Sequence, residues 1–172
     1  MKRIRLLAGT LAAVALAGAV ACGSESDLLT PNGPEHVVAI LSGLSEVPSK
    51  PTTTGYGSFD GTFSTTTRSM DFTLKVGRLV NLTQAHIHSG VVNANGPIVV
   101  DLYLTPTIAT VGDNQQIASG TITPANIRTG GPTWDQLVTL VQTGGAYVNI
   151  HTTLNPGGEI RGQLNMVKGI VQ

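Results

Sequence analysis

Three of the chain's four histidines lie in two short apolar runs, Ala85-His86-Ile87-His88-Ser89-Gly90 and Tyr147-Val148-Asn149-Ile150-His151. In an extended strand alternate side chains share a face, so His86 and His88 project together while Ala85 and Ile87 point the other way. His151 lies likewise opposite Val148 and Ile150. Imidazole nitrogens suit copper and zinc, and three of them with one open position form a catalytic or transport site. The residues also admit a structural reading, in which the histidines hydrogen-bond to Asn149, Glu159 or backbone inside a packed sheet.

Glu159 and Arg161 alternate with Ile160 and Gly162 and therefore share a face. They either orient a ligating histidine, as metal-bound imidazoles usually require, or form a solvated ion pair that contributes little. The structural role is the expectation for this pair. Asp101, between Val100 and Leu102, is a candidate acceptor behind a histidine or an ordinary exposed strand residue. Asn95-Gly96-Pro97 and Asn155-Pro156-Gly157-Gly158 need only turn geometry to explain them. Other chemistry is thinly represented. There is no Gly-x-Ser-x-Gly elbow, no phosphate-cradling glycine loop, and too few acids to argue a glycosidase pair.

The elements that must position these residues read as strands. His36–Leu41, Ser58–Ser64, Met70–Val76, Leu79–Leu82 leading into the His86 run, Ile98–Leu104, Gln116–Thr123, Tyr147–His151 and Glu159–Met166 carry β-type patterns. Ser42–Gly57, with Glu46-Val47-Pro48, and Thr105–Asp113 read as loops. Thr133–Gln142 is the one good helix, capped by Thr133 and ended by Gly144, with Trp134, Leu137, Val138 and Val141 on one face. About eight short strands with Gly/Pro turns predict an all-β fold: an antiparallel Greek-key β-sandwich with one short helix.

The ends carry a different signal. Lys2, Arg3 and Arg5 precede the apolar run Leu6–Val20 and the small residues Ala19-Val20-Ala21, so residues 1–21 read as a signal peptide. The run is short for a spanning helix. The only cysteine, Cys22, follows directly and resembles that of a bacterial lipoprotein lipobox, with Ala19 in place of the usual leucine, which implies a lipidated mature N-terminus; Ala19-Val20-Ala21 also suits ordinary signal peptidase. Residues 22–35 then read as a lipidated N-terminus and flexible tether, 36–166 as the folded domain and 167–172 as a tail. An exported lipoprotein, anchored to a membrane in the periplasm or at the cell surface, is the expectation. Without residues 1–21, seven basic side chains face ten acidic ones. A mildly acidic chain with no basic run gives no footprint for nucleic acid.

Four stretches in order together resemble the CHRD domain, named after chordin: Leu41–Pro48, Ala85–Gly90, Asn95–Leu102, and Ala146–Thr153 running through Asn155–Leu164. The resemblance spans residues 36–166 and implies a secreted envelope module. Chordin's cysteine-rich modules and repeated copies are absent, so its growth-factor role is not implied. A further likeness is to Cu/Zn superoxide dismutase, with His86, His88, His151 and Arg161 in comparable places. It implies a superoxide-dismutase-like sandwich and one mononuclear site. With only His36 left over and no cysteine pair, it does not imply dismutase turnover. The functional expectation is a lipid-anchored binding or structural module that holds one copper or zinc ion through His86, His88 and His151. Asn149, Glu159, Arg161 and Asp101 stand behind those ligands, and any protein partner is unidentified. The competing classes are a copper-dependent redox enzyme and a metal-free adhesion or assembly module.

Overall fold

The computed structural model describes residues 35–168. The expected signal peptide, Cys22 and residues 23–34 of the expected tether lie outside them, as do the last four residues. Nine strands are present among the described residues: β1 (Glu35–Ser42), β2 (Tyr56–Ser64), β3 (Ser69–Gly77), β4 (Leu79–Ser89), β5 (Ile98–Val111), β6 (Gln115–Ile122), β7 (Ala146–Thr152), β8 (Ile160–Gln163) and β9 (Asn165–Lys168). One helix, α1 (Trp134–Gln142), precedes β7. Glu35 already pairs with Phe63 and Lys168, so the folded domain takes in the last tether residue and two residues assigned to the tail.

All pairings between strands are antiparallel, in the order β5-β4-β7-β8-β1-β2-β3-β6, with β9 alongside β1. β1, β2 and β3 follow one another as antiparallel neighbours, and β8 returns beside β1 from far along the chain. Arg78, with φ 57°, is the single residue between β3 and β4, which do not pair. The chain there crosses from one half of the sheet to the other. It crosses back between β5 and β6, the two ends of the order, so the sheet rolls into a nearly closed sandwich around one core. Val37, Leu41, Phe59 and Leu74 from one half meet Ile87, Val148, Ile150 and Ile160 from the other.

Two expectations are corrected. The stretch from Thr105, expected as loop, continues β5 to Val111, because pairing with β4 persists through bulges as far as Leu79↔Val111. The expected strand Glu159–Met166 is two strands. β8 pairs with β7 and β9 with β1, and between them Leu164 is fully buried and donates its N–H to Ala146 O at 2.9 Å.

Helix α1 has the cap its sequence promised. Thr133 Oγ1 accepts from Gln136 N at 3.3 Å, and Gln136 Oε1 accepts from Thr133 N at 2.8 Å, a reciprocal box that satisfies two end donors. Gly144, at φ 69°, ends it in the left-handed region. Trp134, Leu137 and Val141 are buried and Val138 half-buried, with Trp134 edge-on to Phe63 at 5.7 Å. The helix therefore closes the core at one side.

Candidate metal centre

β4 and β7 lie side by side, with Gln84 opposite His151, His86 opposite Asn149 and His88 opposite Tyr147. Their apolar alternates, Ala85, Ile87, Val148 and Ile150, face the core. The opposite face carries His86, His88, Tyr147, Asn149 and His151, and Arg161 joins it from β8 opposite Asn149. Strict alternation would leave that polar face in water. Instead every one of these side chains is buried. The Gly90–Pro97 loop, the Gly43–Pro48 loop and the Asn155–Gly158 turn fold over it.

Those loops fix the histidines through backbone carbonyls. Nδ1 of His88 lies 2.9 Å from Gly96 O, and Nδ1 of His151 lies 3.0 Å from Pro156 O. A carbonyl only accepts, so both Nδ1 atoms carry the proton and both Nε2 atoms are bare lone pairs. His151 Nε2 faces His86 Nδ1 at 3.2 Å, and His88 Nε2 is buried without a partner among the described residues. The candidate ligand atoms of the three rings lie within 4.8 Å of one another. Two nitrogens each about 2.0–2.1 Å from a tetrahedral ion are roughly 3.3 Å apart. The His86–His151 separation already meets that spacing, and His88 needs a small shift.

The remaining nitrogen of His86 decides the chemistry. Its Nε2 is buried without a hydrogen-bond partner among the described residues, and Asp101 Oδ1 lies 3.4 Å away across the β4–β5 pair. With the proton on Nε2, facing the carboxylate, Nδ1 becomes a third bare nitrogen directed at the other two. With the proton on Nδ1, it bonds His151 Nε2 but leaves a lone pair against Asp101 and His88 unsatisfied. The first arrangement is complete only with a cation between the rings. Asp101 is held in place by Arg128, whose Nη2 and Nε reach its two oxygens at 2.6 and 3.1 Å.

All three rings favour the neutral, ligating form. Burial pushes His86 down to about 4, helped by the neighbouring His151 and His88 and opposed by Asp101. Burial also lowers His88 and His151, against the carbonyl bonds from Gly96 and Pro156 that favour protonation.

The supporting residues named from sequence are placed unequally. Asp101 reaches His86. Asn149 turns its amide to the Asn155–Gly158 turn, donating to Gly157 O at 3.5 Å. Glu159 reaches no histidine: Oε1 accepts from Thr53 at 2.6 Å, and Oε2 accepts from Thr152 at 2.6 Å and Asn155 at 3.1 Å. Nor does it form an ion pair with Arg161, so a solvated pair on the sheet surface is ruled out. Arg161, 1% exposed, donates to Asn95 Oδ1, Val91 O and Ala94 O at 3.0, 3.1 and 2.9 Å and stacks over Tyr147 at 3.4 Å. Tyr147 in turn stacks on His88, centroids 4.9 Å apart and 11° from parallel. Arg161 thus acts on His88 through Tyr147 and through the loop that carries Gly96.

The turns expected to have geometric roles alone supply the two carbonyls that set the histidine tautomers. At Gly96 a Cβ would lie 1.6 Å from Ser89 O, so only glycine permits this close crossing. No side-chain pattern announces a carbonyl acceptor, which is why these residues went unrecognised. Glu46 lies in the Ser42–Gly57 stretch that reads as loop, and Arg128 in a stretch between the expected strand Gln116–Thr123 and the helix to which the sequence assigns no element; neither carries a signal of its role.

The family model for the CHRD domain matches residues 37–164. The chain belongs to the CHRD domain family. No curated protein and no solved structure matches it. The match spans β1 to Leu164 and so encloses the whole of the histidine cluster within the CHRD domain.

Proposed function

We propose that this CHRD domain holds one copper or zinc ion through His86 Nδ1, His88 Nε2 and His151 Nε2, as a binding or structural module of the cell envelope. The observation that carries the reading is the set of lone pairs. Two tautomers are fixed by Gly96 O and Pro156 O, the buried Nε2 atoms of His88 and His86 have no hydrogen-bond partner among the described residues, and the closest pair is 3.2 Å apart. Purely structural histidines would satisfy one another or the backbone. A bound ion would draw the His86 proton to Nε2, where Asp101 accepts it, and Arg128 would keep that carboxylate aligned. Imidazole-only donors favour copper and zinc over magnesium or calcium.

The test is metal analysis after equilibration with Cu²⁺ or Zn²⁺ and dialysis. One ion per chain is expected, with loss in the His86→Ala/His88→Ala double variant. Less than one ion per wild-type chain, or unchanged binding in the double variant, defeats the reading. A redox assay of the copper-loaded protein then separates a metal-holding module from an enzyme.

Export and anchoring are part of the same proposal, supported by the basic start, the apolar run and Cys22. Lipid on Cys22 would tether the domain through the segment that enters β1 at Glu35. Cys22→Ser is expected to move the protein from the membrane to the soluble fraction; persistence in the membrane fraction would count against lipidation.

A further inference from the structure

Among the buried groups outside the histidine cluster, the Glu46 carboxyl has no explanation in the fold alone. Glu46 is 3% exposed, and its Oε1 is buried without a hydrogen-bond partner among the described residues. Asn149, also 3% exposed, has its Oδ1 buried without a partner. Both atoms converge on one place. A Cβ built on Gly158 would lie 2.7 Å from Glu46 Oε1 and 2.6 Å from both Oδ1 and Nδ2 of Asn149, and Gly158 has φ 134°, a conformation that also favours glycine; Nδ2 is turned to Gly157 O at 3.5 Å. Two unpartnered buried acceptors bordering one small space are unfavourable unless one carries a hydrogen for the other, and only the carboxyl can take one up.

We propose that Glu46 is held as the neutral acid, donates its proton to Asn149 Oδ1, and thereby latches the Gly43–Pro48 loop over the histidine face. Burial is the dominant influence and raises the Glu46 carboxyl to about 7, against the Arg161 guanidinium from β8, the backbone N–H of Val47 and the Lys50 ammonium beyond it in the chain. The other groups packed around it do not supply a counter-charge. The Gly90–Pro97 loop has no titratable residue, Glu159 is engaged with Thr53, Thr152 and Asn155, and His151 is turned to Pro156 O. Ionisation leaves a carboxylate facing an amide oxygen, so the latch opens as pH rises through neutrality.

Opening has a defined path. Val47 O accepts from Asn95 Nδ2 at 2.9 Å, which joins this loop to the loop whose Gly96 O holds His88. A cavity of about 320 Å³, lined among others by Glu46, Pro48, Asn95, Pro156 and Gly158, lies where the loops meet. Release of Glu46 therefore loosens the cover of the histidines without touching the strands that carry them. The latch stands on the Glu46–Asn149 geometry and does not require that metal binds.

The test uses the full-length, metal-free chain. Carboxyl ¹³C NMR should place the Glu46 titration near neutrality rather than in the ordinary glutamate range. Backbone amide exchange across residues 44–50, corrected for intrinsic rates, should speed up at least tenfold from pH 6 to pH 8 in wild type. In Glu46→Gln, whose amide stays neutral and can donate, it should stay constant. Exchange in β2 and β3 should be the same in both proteins. An ordinary Glu46 titration, or identical loop profiles in wild type and Glu46→Gln, overturns the latch. If Glu46→Gln does not fold, the wild-type carboxyl titration alone decides.

Discussion

Replacing Arg161 by methionine gives the sharpest test of how the site is built. A solvated ion pair on a sheet surface contributes about 0–1 kcal/mol. The structure instead shows a buried guanidinium with three hydrogen bonds to the Gly90–Pro97 loop and a stacking contact on Tyr147. Hydrogen bonds from a charged donor contribute about 1.5–3 kcal/mol each, a gross loss of roughly 4.5–9 kcal/mol for three. Part of this returns, because the loop acceptors regain water when the loop loosens and a buried cation no longer has to be desolvated. A net loss of about 3–4 kcal/mol is expected, near the range for removing one partner from a buried charged cluster. Urea unfolding followed by circular dichroism, in chelator and at fixed pH, measures it. Arg161→Lys keeps the charge but not the fork, and should fall between wild type and Arg161→Met. If Arg161→Met loses less than about 1 kcal/mol with an unchanged m-value, the reasoning about the buried guanidinium is wrong. A second readout is specific to position: Arg161→Met should weaken metal binding, because the loop it ties down carries the carbonyl that orients His88.

Acid should destabilise the metal-free protein through its histidines. Their folded values lie below the ordinary 6.5, with His86 at about 4, so the unfolded chain takes up protons first as pH falls. Stability should be full above about pH 6.5 and fall towards pH 4, with His86 alone worth roughly 3 kcal/mol. Glu46 acts in the opposite sense between its ordinary 4.5 and about 7, so the histidine slope is best read in Glu46→Gln by thermal melts at stepped pH; a flat profile there would refute it. Gly96→Ala, which drives a Cβ into Ser89 O, should release the Gly90–Pro97 loop and lower metal affinity more than global stability. Titration calorimetry beside urea melts would show the reverse ordering if the loop were a passive cover. Leu137→Ala, on the fully buried face of α1, should cost about 2–5 kcal/mol in chemical unfolding. Its metal stoichiometry should stay unchanged, because α1 closes the core and touches no histidine.

The sequence by itself determined the strand pattern and the face on which each histidine lies. Period-two alternation in Met70–Val76, the turn residues at Asn155–Gly158, and the Thr133–Gln136 box are local properties, and local propensity placed them correctly. It also put His86 and His88 on one face, since that follows from strand geometry alone. Three things were decided only by tertiary structure. Burial of the polar face depends on loops from three distant parts of the chain, and alternation cannot tell a face covered by loops from one in water. The tautomers of His88 and His151 depend on the carbonyls of Gly96 and Pro156, which every residue possesses and no side chain advertises. The partners of Glu159, just before β8, and of Arg161 within it depend on the tertiary fold, which sends the two side chains to different partners instead of to each other. The histidine spacing thus defined which side chains can act together, and the folding of loops over β4 and β7 decided which of their nitrogens are free to do so.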